Sequence, residues 1–554
     1  MTANAASLQL TRSSTLSRIY GLGSIYGKTM RDSRLAFIIA AGLLGGLSLV
    51  MGAAISQVFP TPESRLEVDK LIGGMPASMV DFFGKPVALG TLGGYLTWKY
   101  GLVFVMATSL WSILGLSSTL AGEANRGSLD IVATTPFGKR RIAIEKVAAH
   151  VTMLVLALAF MAVMLTVSSN TFGSAALGDQ IAPISAVGFA LWLGFTALFF
   201  GGLAFALGPL LGRGGAGGVA GIALAVLWSV NGLDAGPLAL LSPFHWTENH
   251  VALTGMYDWP ALALVGLVAV GFLAIGVELF SRRDMGITLG LGLPQLPSSV
   301  LGVRGPTSRA FGDQLPRALA WGVGLGLMGA MMASLAGSMS GQISGDENLL
   351  RVIRTVFPNY DFTSAGGFLQ LFVELFFIAA GFAAATLVSK WASDETGGRL
   401  EEVLATPLTR VRWLVTGAIG AFLGAVVFTV IFAVAIAGGA SSGGLTAGSA
   451  LLGSASLGLY AAALIGVGVA IGGVWRTSLA AEVVAILVIA TYLLDLLAPP
   501  LNLPDWVHQL ALTAHFGTPM LGSWDPVGIV ACLALAIGGT LVGAWGIRRR
   551  DIAR

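Results

Sequence analysis

Charge is what this chain has least of: across 554 residues only 11% are Asp, Glu, Lys or Arg, while 55% are apolar. A soluble globular domain carries about 25% charged residues, so that class is excluded and a lipid environment is implied. Cysteine is reduced to Cys532, which rules out a disulfide framework or a cysteine metal cluster within one chain. Its place inside an apolar run marks it as a small buried residue. The five histidines, His150, His245, His250, His508 and His515, show no paired ligand spacing, so no metal site is expected. A phosphate loop is missing as well. Gly23 to Thr29 imitates one, but its spacing is a residue short and no strand precedes it. Ser338 to Gln342 and Leu493 to Asp495 imitate two other nucleotide-handling motifs, yet both fall at outer helix ends. The chain is therefore expected to hold no cofactor and to catalyse nothing by itself. Its basic pI near 9.0 does not indicate nucleic acid, because the cations stand at the ends of apolar runs, where they orient membrane segments.

Uncharged runs are what the sequence has in abundance. About twenty apolar residues span the hydrocarbon as a helix. Twelve such runs occur, near 36–57, 100–121, 147–169, 184–210, 215–233 and 260–279, and again near 318–339, 368–389, 413–437, 450–473, 478–498 and 526–547. The cluster Gly438, Gly439, Ser441, Ser442, Gly443 and Gly444 predicts an external turn between the ninth and tenth. The 76 glycines read as close helix packing. The first thirty-four residues are polar and basic, and the run after them is too long for a signal peptide, so no cleaved signal is expected. With the N-terminus inside, 25 of the 31 lysines and arginines fall on the inner side, which predicts both termini in the cytoplasm.

A shift of 271 positions lays Ser118 over Ser389, Ala121 over Ala392, Gly127 over Gly398, Leu129 over Leu400, Val132 over Val403, Thr135 over Thr406 and Pro136 over Pro407. Arg282-Arg283-Asp284 and Arg549-Arg550-Asp551 close the two halves alike. This is an internal repeat. Six crossings per copy preserve orientation, so the expected fold is an all-α polytopic membrane protein. It has twelve transmembrane helices in two parallel six-helix repeats about a pseudo-twofold axis along the membrane normal. The expected division is an N-terminal arm with an elbow helix, 1–34, a first unit, 35–285, a connector with a second elbow, 286–317, and a second unit, 318–554.

The repeated loops, 122–146 and 390–412, face the same side by parity. In each, a glycine precedes apolar residues at helical spacing: Leu129, Val132 and Ala133 in one, Leu400, Val403 and Leu404 in the other, with a proline as the stop. Asp130, or Glu401 and Glu402, occupies the first turn, where the helix dipole favours an anion. Two equivalent knobs on one face suit a partner made of two equivalent subunits.

At these residues the chain resembles the ABC-2 type permeases, the membrane halves of type V ABC exporters, and in its double length the actinobacterial tetronasin-type antibiotic and multidrug efflux permeases. The resemblance rests on an acidic-x-x-x-Gly-x-Leu-acidic-x-x-x-x-Thr-Pro pattern at Glu123, Gly127, Leu129, Asp130 and Pro136, and at Asp394, Gly398, Leu400, Glu401 and Pro407. It implies that each loop holds a coupling helix gripped by an ATPase subunit, with ATP and Mg²⁺ bound in that partner. It implies elbow helices at Leu16–Arg34 and near Gly302–Arg317, and a plasma-membrane exporter of hydrophobic or amphipathic compounds. The first copy departs from the pattern, with Ile131 and Ala133 where the second has Glu402 and Leu404. The family's substrate path runs between the second and fifth helices of each half, which makes Phe104, Met106, Trp111, Trp228, Asn231, Phe372, Glu374, Phe376 and Tyr492 its candidate walls. Export of a lipid or cell-envelope precursor, an ion-gradient transporter using Glu374, and a non-transporting assembly subunit are the rival readings.

Overall fold

The computed structural model describes residues 24–58, 60–66, 84–119, 138–232, 236–282, 305–345, 350, 361, 363–443, 446–497 and 504–551. These residues are helical apart from turns, connecting segments and one antiparallel hairpin, Gly517–Thr518 paired with Ser523–Trp524. The helices used below are α1 (Ile25–Asp32), α2 (Arg34–Val58), α3 (Leu92–Thr119), α4 (Lys139–Phe172), α5 (Pro183–Gly232), α6 (Trp259–Arg282), α7 (Pro306–Gly345), α8 (Ala365–Leu371), α9 (Val373–Thr396), α10 (Leu400–Leu404), α11 (Arg410–Gly443), α12 (Ala447–Val474), α13 (Thr477–Leu497) and α14 (Pro526–Arg549).

Among the described residues eleven helices are long and apolar enough to cross a membrane, and the run expected as the fifth span appears as the shorter apolar helix Gly215–Trp228. Fourth and fifth runs part inside α5 at Gly212, whose φ of 70° and ψ of 176° break the helix. A positive φ of this kind is open to glycine and costly for other residues. Many helices turn an apolar stripe outward. Leu264, Leu267 and Val270 do so on α6, Leu423, Val426, Val430 and Val434 on α11, and Val530, Leu533, Ile537 and Leu541 on α14. Stripes at three- and four-residue spacing left uncovered on this scale are what lipid, and not water, tolerates.

The chain forms two compact units, one comprising Met1–Ala53, Lys99–Ala220 and Asn249–Leu291, the other Ala54–Trp98, Gly221–Glu248 and Gly292–Arg554. In the first, Ile25 of α1 inserts into a core with Leu116, Ile142, Ala143, Phe205, Leu273, Val277 and Phe280. Ser24 caps α1 through Gly27 N, and the chain turns at Ser33 into α2. His150 is buried in α4, its Nε2 3.1 Å from Ser112 Oγ, in space left by Gly115.

The second unit is built on glycine-lined crossings. Gly322, Gly326 and Gly329 of α7 face Ile431, Ala435 and Ile436 of α11. Gly466 of α12 meets Ala536 and Gly539 of α14, Gly473 meets Gly543, and Val474 meets Gly546, backbone against backbone. Small residues allow this approach, which replaces the hydrophobic driving force that lipid removes. Two boundaries differ from expectation. Helix α11 continues through Gly438 and Gly439 to Gly443, because Gly439 lies against the backbone of Ala330 and is a packing residue, not a turn residue. Of the stretch expected as a second elbow, residues 306–317 are the first turns of α7 and run on without a break, while 302–304 lie outside the described residues. It is held against α11 and α9, where Gly420 abuts the Ala310 backbone and buried Gln314 donates from Nε2 to Leu387 O at 3.0 Å.

Candidate functional site

The loop after α9 is assembled from a helix end, a left-handed glycine and a short acidic helix. Helix α9 stops at Gly397, whose N–H donates to Ser393 O, and Gly398 follows at φ +71° with its N–H on Glu395 O. This left-handed stop releases the orphan carbonyls of the helix into turn bonds and redirects the chain. Helix α10 then forms, Leu400 to Leu404, closed by Val403 N–H on Arg399 O and Ala405 N–H on Glu401 O. Leu400 is 2% exposed and anchors it. Glu401 and Glu402 are exposed, Val403 and Leu404 half-buried, and Thr406 and Pro407 exposed. The carboxylates sit in the first turn, where they favour the positive helix end. Thr409 Oγ1 accepts from Arg412 N and starts α11.

Beneath this helix two tryptophans stack, Trp391 of α9 on Trp413 of α11, with ring centroids 5.3 Å apart and planes at 26°. Asp394 accepts from Trp413 Nε1 at 3.2 Å. Gly417 and Gly472 admit the Trp391 ring: a Cβ on Gly417 would fall 2.6 Å from its Nε1, and one on Gly472 2.7 Å from its Cζ3. Alongside lies a buried ion pair, Arg550 Nη2 to Glu395 Oε2 at 2.6 Å, with side chains 9% and 7% exposed. Thr477 Oγ1 donates to the same carboxylate oxygen at 2.9 Å, and Arg550 Nη1 donates to Trp475 O at 3.1 Å. Arg410 Nη1 in turn donates to Arg550 O at 3.1 Å. The result is a hydrogen-bonded frame that displays an acidic, partly apolar knob. Such a surface can bind a complementary protein face; among the described residues no His, Cys, Asp and Glu cluster could hold a metal.

Of the residues singled out from sequence, Asp394 lies in the last turn of α9, and Gly398, Leu400, Glu401, Val403 and Pro407 lie in the loop that follows it. Their counterparts Glu123, Gly127, Leu129, Asp130, Val132 and Pro136 lie outside the described residues. The candidate path residues fall in both units. In the first unit Phe104 is fully buried edge-on to Phe189, Met106 is half-buried, and Trp111 is half-buried with its edge toward His150. In the second, Trp228 is buried against Phe244, Phe372 ends α8, Phe376 is fully buried against Phe432, and Asn231 and Tyr492 are half-buried. Glu374 is the second residue of α9. Sequence reasoning missed Glu395, Thr477, Arg550 and the tryptophan pair. The one available signal was the repeated Arg-Arg-Asp ending, read there only as a mark of duplication.

Two comparisons with known proteins bear on this loop. Residues 303–548 match the family model described as Multidrug efflux system permease Rv1217c, C-terminal domain. The chain is also 28% identical, over 528 residues covering 91% of it and 90% of the relative, to the Multidrug efflux system permease protein Rv1217c of Mycobacterium tuberculosis. These matches bear out the resemblance to ABC-2 type multidrug permeases that the paired loops carry.

Proposed function

We propose, from a likeness to the multidrug efflux permeases that runs along nearly the whole chain, that this protein is the membrane subunit of an ATP-driven exporter. Twelve helices in two parallel six-helix repeats form the permease, in the plasma membrane with both termini cytoplasmic. Two copies of an ATP-binding subunit, which carry the ATP and Mg²⁺, grip loops 122–146 and 390–412. Binding and hydrolysis there move the coupling helices, and the two halves alternate access to carry a hydrophobic or amphipathic compound out of the cell.

The observation that carries this reading is α10: two outward carboxylates and a half-buried apolar edge, on a helix pinned by Leu400 and a buried ion pair. A lipid-surface anchor would turn its apolar side to the membrane and would not place two adjacent acids on the headgroups, where the anionic leaflet repels them. A basic groove on a soluble partner complements it.

The test is co-purification of the chain with a candidate ATP-binding subunit, reconstitution in proteoliposomes, and measurement of ATP hydrolysis and of accumulation of a fluorescent amphipathic cation. Transport that needs the complex and hydrolysable ATP supports the reading. Flux driven by a proton or sodium gradient through the chain alone would overturn it.

A further inference from the structure

Arg550 meets more helix ends than any residue at a surface loop needs to. Its two terminal nitrogens reach Glu395 at the end of α9 and the carbonyl of Trp475 where α12 stops, while its own carbonyl receives Arg410 from the start of α11. Thr477, which opens α13, completes the carboxylate's shell. The ends of five helices, α9, α11, α12, α13 and α14, thus meet at Arg550 and the carboxylate it holds: the guanidinium reaches α9 and α12, the Arg550 carbonyl receives α11, and Glu395, five residues before the docking helix α10, receives α13. Planar, multiply donating and permanently charged, arginine is suited to such a junction, and lysine could not reproduce it. Buried ion pairs contribute little net stability compared with apolar packing, and their best-attested use is to fix one arrangement among several. This pair is placed to fix the relation between a docking loop and the helices behind it.

The repeat makes the feature unequal. The register that lays Glu123 on Asp394 lays Ala124 on Glu395, and the matching terminal motifs lay Arg283 on Arg550. The first half therefore keeps the cation and has no acid at the corresponding position.

We propose that Glu395 and Arg550 are positioning residues that carry the movement of the second docking helix into α12, α13 and α14, so that the second loop drives the permease more strongly than the first. This rests on the exporter reading above, and two arms of one experiment separate their failures. The first needs no ATPase: hydrogen exchange on the purified chain in lipid nanodiscs, comparing wild type, Glu395→Gln and the exchange variant Glu395→Arg/Arg550→Glu. Glu395→Gln is expected to speed exchange at the amides of Leu400–Thr406 and at the start of α13 together, and the double variant to recover part of that protection. Exchange that changes only at residue 395 and its neighbours in sequence, or not at all, overturns the junction. The second arm reconstitutes the same variants, and Ala124→Glu, with the ATP-binding subunit. Glu395→Gln is expected to lower transport per ATP hydrolysed by about tenfold at unchanged complex content, and Ala124→Glu to leave it equal or raise it. Hydrolysis and transport falling in equal proportion would make the pair a mere assembly contact and overturn the proposal. Wild-type complex without ATP-driven transport would instead sink the exporter reading, leaving the exchange result to judge the junction.

Discussion

Two adjacent glycines on α14 differ in one respect that a single methyl group can measure. Gly538 has no atom within 4 Å of where a Cβ would stand, whereas on Gly539 that Cβ would lie 2.5 Å from the carbonyl carbon of Gly466 on α12. Ordinary carbon contacts need roughly 1 Å more, and a backbone cannot give way as a flexible side chain does, so the two helices have to part. Overpacking of this kind costs about 1–3 kcal/mol. At Gly538 the methyl meets nothing, and the helix-propensity gain over glycine, up to about 1 kcal/mol, remains. Gly539→Ala carries the same gain, so the two variants Gly538→Ala and Gly539→Ala should differ by the overpacking cost alone, about 1–3 kcal/mol. The chain carries its own reporter, since Cys532 is the only cysteine, is fully buried, and lies on the same helix. Thermal unfolding in detergent, followed by a maleimide dye that fluoresces on reaching Cys532, should show a midpoint several degrees lower for Gly539→Ala and equal or higher for Gly538→Ala. Equal midpoints would refute the backbone-to-backbone packing of α12 on α14.

Three further outcomes follow from the site and its surroundings. Leu400→Asp removes the buried anchor of α10 and should abolish co-purification with the ATP-binding subunit while leaving membrane insertion intact, read by pull-down and by membrane fractionation. Gly398→Ala meets no steric obstacle but forces φ +71° on a side chain, a strain of about 1–2 kcal/mol, so it should weaken that association roughly tenfold, measured by titration of the subunit. His250, outside the spans, accepts Asp258 N–H at Nδ1 and reaches Gly188 O with Nε2 at 3.3 Å, a neutral arrangement. Burial pushes its pKa below the ordinary value near 6.5, more than the Gly188 bond and the Asp258 charge raise it. Its contribution to stability is therefore full above about pH 6.5 and is lost as pH falls through the lower folded-state value, so unfolding midpoints of wild type should drop on acidification while those of His250→Gln vary less.

How much of this was legible in sequence depends on range. A spanning helix is specified by its own twenty apolar residues, so the runs near 184–210 and 526–547 reappear as Pro183–Gly212 and Pro526–Arg549 with little shift. The short helix α10 was legible for the same reason: Leu400, Val403 and Leu404 share a face by spacing alone. Glycine was ambiguous, because a residue that permits a turn and one that permits helix contact are spelled alike. Gly212 does break a helix and Gly439 does not, and only the presence of Ala330 beside the latter decides it. The Glu395–Arg550 pair joins positions 155 residues apart, and no local pattern announces it.

The seam between α12 and α14 also bears on what can pass between those two helices. From Gly466 to Val474 the two backbones touch, a length of about 12 Å or nearly half the hydrocarbon thickness, on the side of the bilayer where Arg550 lies. No acyl chain, and nothing the size of a drug, can slip sideways through that crevice. In this arrangement the wall behind Arg550 is closed to anything moving sideways out of the adjoining leaflet.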